Sequence, residues 1–282
     1  MQTNDHQPQV EVVVAQVGLP EATVMDLGLD GLRVVVTAGA GGIGLVTTRT
    51  FLAEGAKVYV CDVDAEALRR LSETAPGAIG AHCDVADRGA VARFIAEATT
   101  KLGGLDCLVN NAGIAGPTGR VDEIDPTDWD RCIAICLTGQ FNVARLAIAH
   151  LKQSKNASIT NLSSAAGKFG FPLRSPYSAA KWGVVGFTKT LAMELGGSDI
   201  RCNAILPGPV DGERIRQVID AKARAANISF EDMKGRMLAT QSIKDLIDPQ
   251  GIADQIVFLA SRRARTISGQ ALSVDGDMQC MA

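Results

Sequence analysis

Tyr177 and Lys181 lie four residues apart in Tyr177-Ser178-Ala179-Ala180-Lys181, so on a helix their side chains share a face. A phenol is a poor base near neutral pH, because its ordinary pKa is about 10, and a neighbouring ammonium favours the phenolate. The pair therefore has the chemistry for moving a proton to or from a reacting oxygen. Taken alone, Tyr-x-x-x-Lys also describes many ordinary half-exposed helices. What the rest of the chain places beside the pair has to decide.

A second constellation is the turn Thr37-Ala38-Gly39-Ala40-Gly41-Gly42-Ile43-Gly44, which follows Val34-Val35-Val36 and precedes a helical stretch through Phe51. Glycines let backbone N–H groups approach phosphate oxygens, and a helix N-terminus adds positive potential, so Gly39, Gly41, Gly42, Ile43 and Gly44 suit a pyrophosphate. The next strand, Lys57 to Cys61, leads to Asp62, close to the offset at which a carboxylate accepts hydrogen bonds from adenosine ribose hydroxyls. A carboxylate there repels the extra phosphate of NADP, and the turn offers no Arg or Lys to neutralise it, so NAD is the expected cofactor. The competing reading is that Asp62 only caps the helix beginning near Ala65, with Asp64 as a rival cap.

The elements that must position these residues alternate along the chain. Further strands are expected near Ala78-Ile79, Leu105 to Val109, Ser158 to Leu162, Arg201 to Leu206 and Ala271 to Val274, separated by helical stretches. This predicts an α/β fold, a doubly wound parallel sheet with helices on both faces. The 282 residues read as an N-terminal extension (1–30) and one domain (31–282), with a charged helical flap at about 211–247. The composition, 46% hydrophobic but only 4% aromatic, suits buried parallel strands. A net charge of −3 with scattered basic residues argues against a nucleic-acid partner. No apolar run is read as approaching the roughly 18 residues of a membrane span, and the N-terminus lacks a signal-like core, so a cytoplasmic location is expected. The seven cysteines show no C-x-x-C spacing and are read as reduced, with no metal site.

Together these motifs resemble the short-chain dehydrogenase/reductase family from about Arg33 to Gly276. The match is carried by the glycine turn, Asp84-Val85, Asn110-Asn111-Ala112-Gly113, Ser163-Ser164, Tyr177/Lys181 and Pro207-Gly208. The resemblance implies a Rossmann-type fold and an NAD(H)-dependent interconversion of a secondary alcohol and a ketone. By the same resemblance Ser164, with Ser163 as the adjacent alternative, would hydrogen-bond the substrate oxygen, and Tyr177 would act as general acid/base. Lys181 would also contact the nicotinamide ribose, Asp84 and Val85 the adenine, Asn111, Ala112 and Gly113 the ribose side, and Pro207, Gly208 and Val210 the nicotinamide. A homotetramer built through the Tyr177 helix and the segment Ile267 to Gly276 is implied as well. Asn110, Asn111 and Pro207-Gly208 also admit purely structural readings, as turn-shaping and strand-ending residues.

Three departures stand out. Ala38 occupies the first glycine position of the turn, and Gly39 is expected to supply the permissive backbone. Cys136, on a helix expected from Trp129 to Gly139, takes the place usually held by Asn, where a thiol is a weaker hydrogen-bonding group. That leaves open a proton relay through backbone and water, reduced activity, or a reactive thiol, with inert packing the plainer role for the sulfur. Gly212 stands where the family often has Thr. Arg174, directly before Ser175-Pro176-Tyr177, with Lys168 and Arg214 as partners, suggests a polar or anionic hydroxy or oxo substrate, against three solvated loop cations. Two other functions compete: NAD-using epimerisation or dehydration, and dinucleotide sensing with little catalysis.

Overall fold

A computed structural model of the protein describes residues 26–281, apart from the side chains of Arg214, Ala221, Lys222 and Ala225. Most of the expected extension thus lies outside the described residues, and its end is already part of the core: Leu29 is fully buried and the Gly31 N–H donates to the Gly55 carbonyl.

In chain order the elements are β1 (Arg33–Thr37), α1 (Gly42–Ala53), β2 (Lys57–Asp62), α2 (Ala65–Arg69), α3 (Leu71–Thr74), β3 (Ile79–His82), α4 (Arg88–Leu102), β4 (Cys107–Asn110), α5 (Pro126–Ile133), a π-helical turn (Ala134–Thr138), α6 (Gly139–Leu151), β5 (Ser158–Leu162), α7 (Ser175–Leu195), β6 (Arg201–Pro207), α8 (Glu213–Ala226), α9 (Phe230–Leu238), α10 (Pro249–Ala260) and β7 (Ala271–Val274). The seven strands form one parallel sheet in the order β3-β2-β1-β4-β5-β6-β7. The order reverses between β1 and β4. That switch point opens a crevice at the strands' carboxyl ends, the place where such sheets hold ligands.

Alternation along the central strands divides their side chains between two cores. Val35, Tyr59, Leu108 and Ile159 face one side with α4 and α6, while Val34, Val36, Val58, Val60 and Val109 face the other with α10. Each fully buried Val or Leu contributes about 1.5–3 kcal/mol, enough to fix the register against a one-residue slip that would turn both sets over. β5 and β6 are buried along their whole length, as parallel strands covered on both faces must be.

The flap carries α8 and α9 around a small apolar cluster of Ile219, Ala223 and Met233, and its ends are pinned by isolated bridges, Val210 to Ile247 and Gln241 to Met278. One expectation needs correction. The helical run Pro126–Leu151, with mean hydropathy 1.5, is long and apolar enough by length and composition to cross a membrane. Half of its apolar window is buried inside the protein, where Val143, Ala144 and Ala147 pack into the core. That is the burial of a core helix rather than of a lipid-facing one.

Candidate active site

α7 begins with Pro176 in its first turn, where the missing N–H does no harm. Its buried face, Ala180, Val184 and Thr188, lies against the sheet and presents Tyr177 and Lys181 together at the strand ends. Lys181 is only 3% exposed. Its ammonium donates to the Leu162 carbonyl at 2.8 Å, an oxygen that also accepts from Gln140 Nε2 at 3.1 Å, and it stands 5.6 Å from the centre of the Tyr177 ring. The β5 terminus thus fixes the cation, and the cation sits beside the phenol.

The two serines of the short turn after β5 are differently engaged. Ser163 Oγ donates to the Lys181 carbonyl at 2.8 Å and is spent on holding α7. Ser164 Oγ accepts from the Ala166 N–H at 3.2 Å, and no acceptor for its own hydrogen occurs among the described residues. The Ser164 hydroxyl thus keeps its hydrogen unengaged among the described residues. Gly167 permits the close approach: a Cβ there would collide with Ser163 Oγ and the Lys181 backbone.

Cys136 lies on the π-helical turn, a wide turn often found at functional sites. Its Sγ donates to the Ile114 carbonyl at 3.3 Å and accepts from the Ile114 N–H at 3.4 Å. Cys136 thus meets one donor and one acceptor of a single residue, which a thiol can do. Cys136 and Cys132 pack against Ala180, Ile114 and Tyr177. The hydrogen bond with Cys136, together with burial, holds the Cys132 thiol well above its ordinary range.

On the dinucleotide side, Gly41 caps α1 without a side chain, and no acid occupies that helix's first turn. α2, α4, α5 and α10 are each capped by an aspartate instead. The N–H groups of α1 are therefore left for an anion, and a Cβ on Gly41 or Gly42 would meet only open space. The turn itself differs from expectation. Ala38, not Gly39, takes the left-handed conformation, with φ 49°. Gly39 is needed for another reason, since a Cβ there would stand 2.6 Å from Val60 Cγ1.

Asn111 donates from its amide to the carbonyls of Thr37 and Ala38, both at 3.0 Å, and its N–H and that of Ala112 both donate to Thr37 Oγ1. Thr37, which the sequence reading passed over, thus joins β1 to β4 across the switch point. Only its place at the end of β1 could have marked it. Gly113 lies where Lys181 and Cys136 converge: a Cβ there would be 3.5 Å from Lys181 Nζ and 3.7 Å from Cys136 Sγ.

Asp62 does not cap α2; Asp64 does, accepting from the Glu66 and Ala67 N–H groups. Asp62 accepts from the Ala40 N–H at 3.2 Å, which sets its carboxylate beside the glycine turn. Asp84 pairs with Arg131 at 3.2 Å, and the Val85 carbonyl accepts from Asn142. Gly208 lets β6 pass Asp275 closely, with a notional Cβ 2.9 Å from the Asp275 Cα, while Val210 bridges to Ile247. Gly212 caps α8 without a side chain.

Of the three cations considered for substrate, Lys168 is engaged elsewhere: its ammonium pairs with the buried Asp275 at 2.7 Å and donates to Ser273 Oγ. The Arg214 side chain lies outside the described residues. Arg174 stays beside Tyr177. A cavity of about 370 Å³ under the flap, lined in part by Asp211, Arg216 and Phe230, reaches neither Tyr177 nor Ser164. Tyr177, Lys181 and Ser164 converge instead at the carboxyl ends of the strands.

Residues 37–279 match the family model described as enoyl-(acyl carrier protein) reductase. The cis-4-hydroxycyclohexanecarboxylate dehydrogenase of Sinomonas cyclohexanicum is 36% identical over 245 residues, covering 86% of this chain and 94% of the relative. Among solved structures, a variant of actinorhodin polyketide ketoreductase with NADPH has a TM-score of 0.80 at 32% identity, covering 86% of this chain and 95% of the other. NAD+-bound xylitol dehydrogenase has a TM-score of 0.82 at 26% identity, covering 88% and 99%. Both nucleotides thus occur among the structural neighbours. The chain belongs to the short-chain dehydrogenase/reductase family and is an oxidoreductase of that family.

Proposed function

We propose that the protein interconverts a secondary alcohol and a ketone with NAD(H), using Tyr177 to move the proton. The observation that carries this reading is the placement of the buried Lys181 ammonium 5.6 Å from the Tyr177 ring, beside a Ser164 hydroxyl that keeps its hydrogen. The dinucleotide supplies or takes the hydride. In reduction, Tyr177 gives its phenolic proton to the carbonyl oxygen as negative charge develops there; in oxidation it takes the proton from the alcohol. Ser164 donates a hydrogen bond to the same oxygen and holds it in place, and Lys181 stabilises charge on the phenol. Gly41, Gly42, Ile43 and Gly44 would receive the pyrophosphate. Asp62 would accept from the adenosine ribose, and that carboxylate, with Val63 and not a cation following it, supports NAD over NADP. Asp84 and Val85 would border the adenine, Asn111, Ala112 and Gly113 the ribose, and Pro207, Gly208 and Val210 the nicotinamide.

A panel of ketones and secondary alcohols followed through NADH absorbance tests the reading, and no turnover with either nucleotide would overturn it. We further propose a homotetramer. Phe141 on α6 is 42% exposed, and Trp182 and Met193 on α7 are 50% and 86% exposed, a large apolar surface for a monomer to leave in water. Elution as a monomer in gel filtration would refute that assembly. The seven cysteines, none of them in a disulfide, support a cytoplasmic setting, where thiols stay reduced.

A further inference from the structure

We propose that Arg174 anchors a carboxylate on the substrate, so that the enzyme acts on short hydroxy acids and their oxo counterparts. This rests on the oxidoreductase reading above and names its substrate class. The Arg174 guanidinium lies 5.7 Å from the centre of the Tyr177 ring and 5.5 Å from that of Phe171. Its Nη2 donates to the Ala115 carbonyl at 2.6 Å. No carboxylate pairs with it among the described residues, whereas Arg33, Arg131 and Arg216 each have an acidic partner. Its Nε is buried without a hydrogen-bond partner, and so is the hydroxyl of the adjacent Ser175.

A guanidinium offers five N–H donors in a fixed fork, and the carbonyl of Ala115 uses one. Two aromatic rings shield this cation in part from water, which strengthens its attraction for an anion. Of the other cations on this side, Lys168 is paired with Asp275, and Lys181, buried and donating to the Leu162 carbonyl, serves the proton-transfer pair itself. Besides Lys181, the cation beside Tyr177 that has no acidic partner among the described residues is Arg174, held just before the first turn of α7. Because it stands against the Tyr177 ring, an anion bound to it and an oxygen bound to Tyr177 must belong to a small molecule, with a few bonds between them.

The structural alternative is that Arg174 only staples the 111–119 loop to α7, as the Gly119 N–H does by donating to the Leu173 carbonyl at 2.9 Å. The test separates the two. Full-length protein with NADH is assayed on acetoacetate and 3-oxopentanoate and on their methyl esters, which differ in charge and little in shape. The proposal predicts that the acids exceed the esters at least tenfold in kcat/KM, and that Arg174→Met shrinks the acid-to-ester ratio by about 10–100-fold, mostly through KM, since a charged hydrogen bond is lost. Arg174→Lys should recover part of the ratio. Equal losses on acid and ester, or no acid preference in the parent protein, overturn it. Should neither acids, esters nor neutral alcohols turn over with either nucleotide, the oxidoreductase reading fails. The anion site is then read by calorimetric titration of acetoacetate into protein saturated with NAD: binding weakened tenfold or more in Arg174→Met supports it, and absent or unchanged binding overturns it.

Discussion

Asp62→Asn removes the charge at the end of β2 while keeping a side chain of the same shape. In the structure the carboxylate accepts from the Ala40 N–H at 3.2 Å and from the Asp64 N–H at 3.1 Å, so it is held where the adenosine ribose would lie. Two unit charges about 4 Å apart repel by about 4 kcal/mol at an effective dielectric near 20. Asp62 is half-buried, so solvent and salt screen much of this, and about 1–2 kcal/mol of discrimination against a 2′-phosphate should remain. A charged acceptor lost to the ribose hydroxyls removes about 1.5–3 kcal/mol of NAD binding. With about 1.4 kcal/mol per factor of ten, the two effects together, about 2.5–5 kcal/mol, lower the NADH-to-NADPH ratio of kcat/KM by about 60- to 4,000-fold. The assay is steady-state reduction of one ketone with each nucleotide, in the parent protein and in Asp62→Asn. A ratio that stays within threefold of the parent value would refute the placement of the ribose on Asp62 and the preference argued from it.

Cys136→Ala strips the Ile114 N–H and carbonyl of their shared partner, and a buried polar group left unpaired costs about 1–3 kcal/mol. A lower denaturant midpoint and a reduced kcat are expected, with Cys136→Ser recovering part of both; a variant matching the parent in both would contradict the bridging role. Six of the seven cysteines are buried and Cys280 is exposed, so one thiol per chain should react quickly with a thiol reagent in the native protein and seven after unfolding. Burial, the largest cause for each, pushes Cys107 and Cys202 up to about 12, which keeps them unreactive at neutral pH. Burial would raise the Asp106 carboxyl, but hydrogen bonds from Arg33 and Ser154 outweigh it and hold the group below the usual range. The stability this gives is complete above the ordinary carboxylate pKa of about 3.9 and is lost as pH falls through the depressed value. Asp106→Asn should therefore be less stable than the parent at pH 7, and urea midpoints should converge as the pH falls below the ordinary carboxylate range.

The parts of this site written in local sequence were readable beforehand. Helical spacing joins Tyr177 to Lys181, and alternation of apolar strands with helices gives the parallel sheet whose carboxyl ends gather the motifs. Where the reading fell short, a partner distant in sequence had decided the outcome. Lys168 looked like a substrate cation until Asp275, brought beside it by β7, took its ammonium. Gly39 is expected to supply the permissive backbone, but the left-handed residue is Ala38, and it is the close packing of β2 through Val60 that excludes a side chain at 39. For Cys136, sequence shows its weak hydrogen-bonding chemistry but not the π-helical turn that aims it at both polar groups of Ile114. The helix carrying it was also longer and more apolar than expected, for the same reason that it is a core element.

Proton transfer by Tyr177 is tested most directly by Tyr177→Phe, which keeps the ring that packs beside Cys136 and Ala180 and removes only the hydroxyl. On the best ketone of the panel, kcat should fall by about 10²–10⁴, the usual contribution of general acid catalysis, while NADH binding measured by fluorescence stays within threefold of the parent value. A Tyr177→Phe enzyme that keeps more than a tenth of the parent kcat would contradict the account.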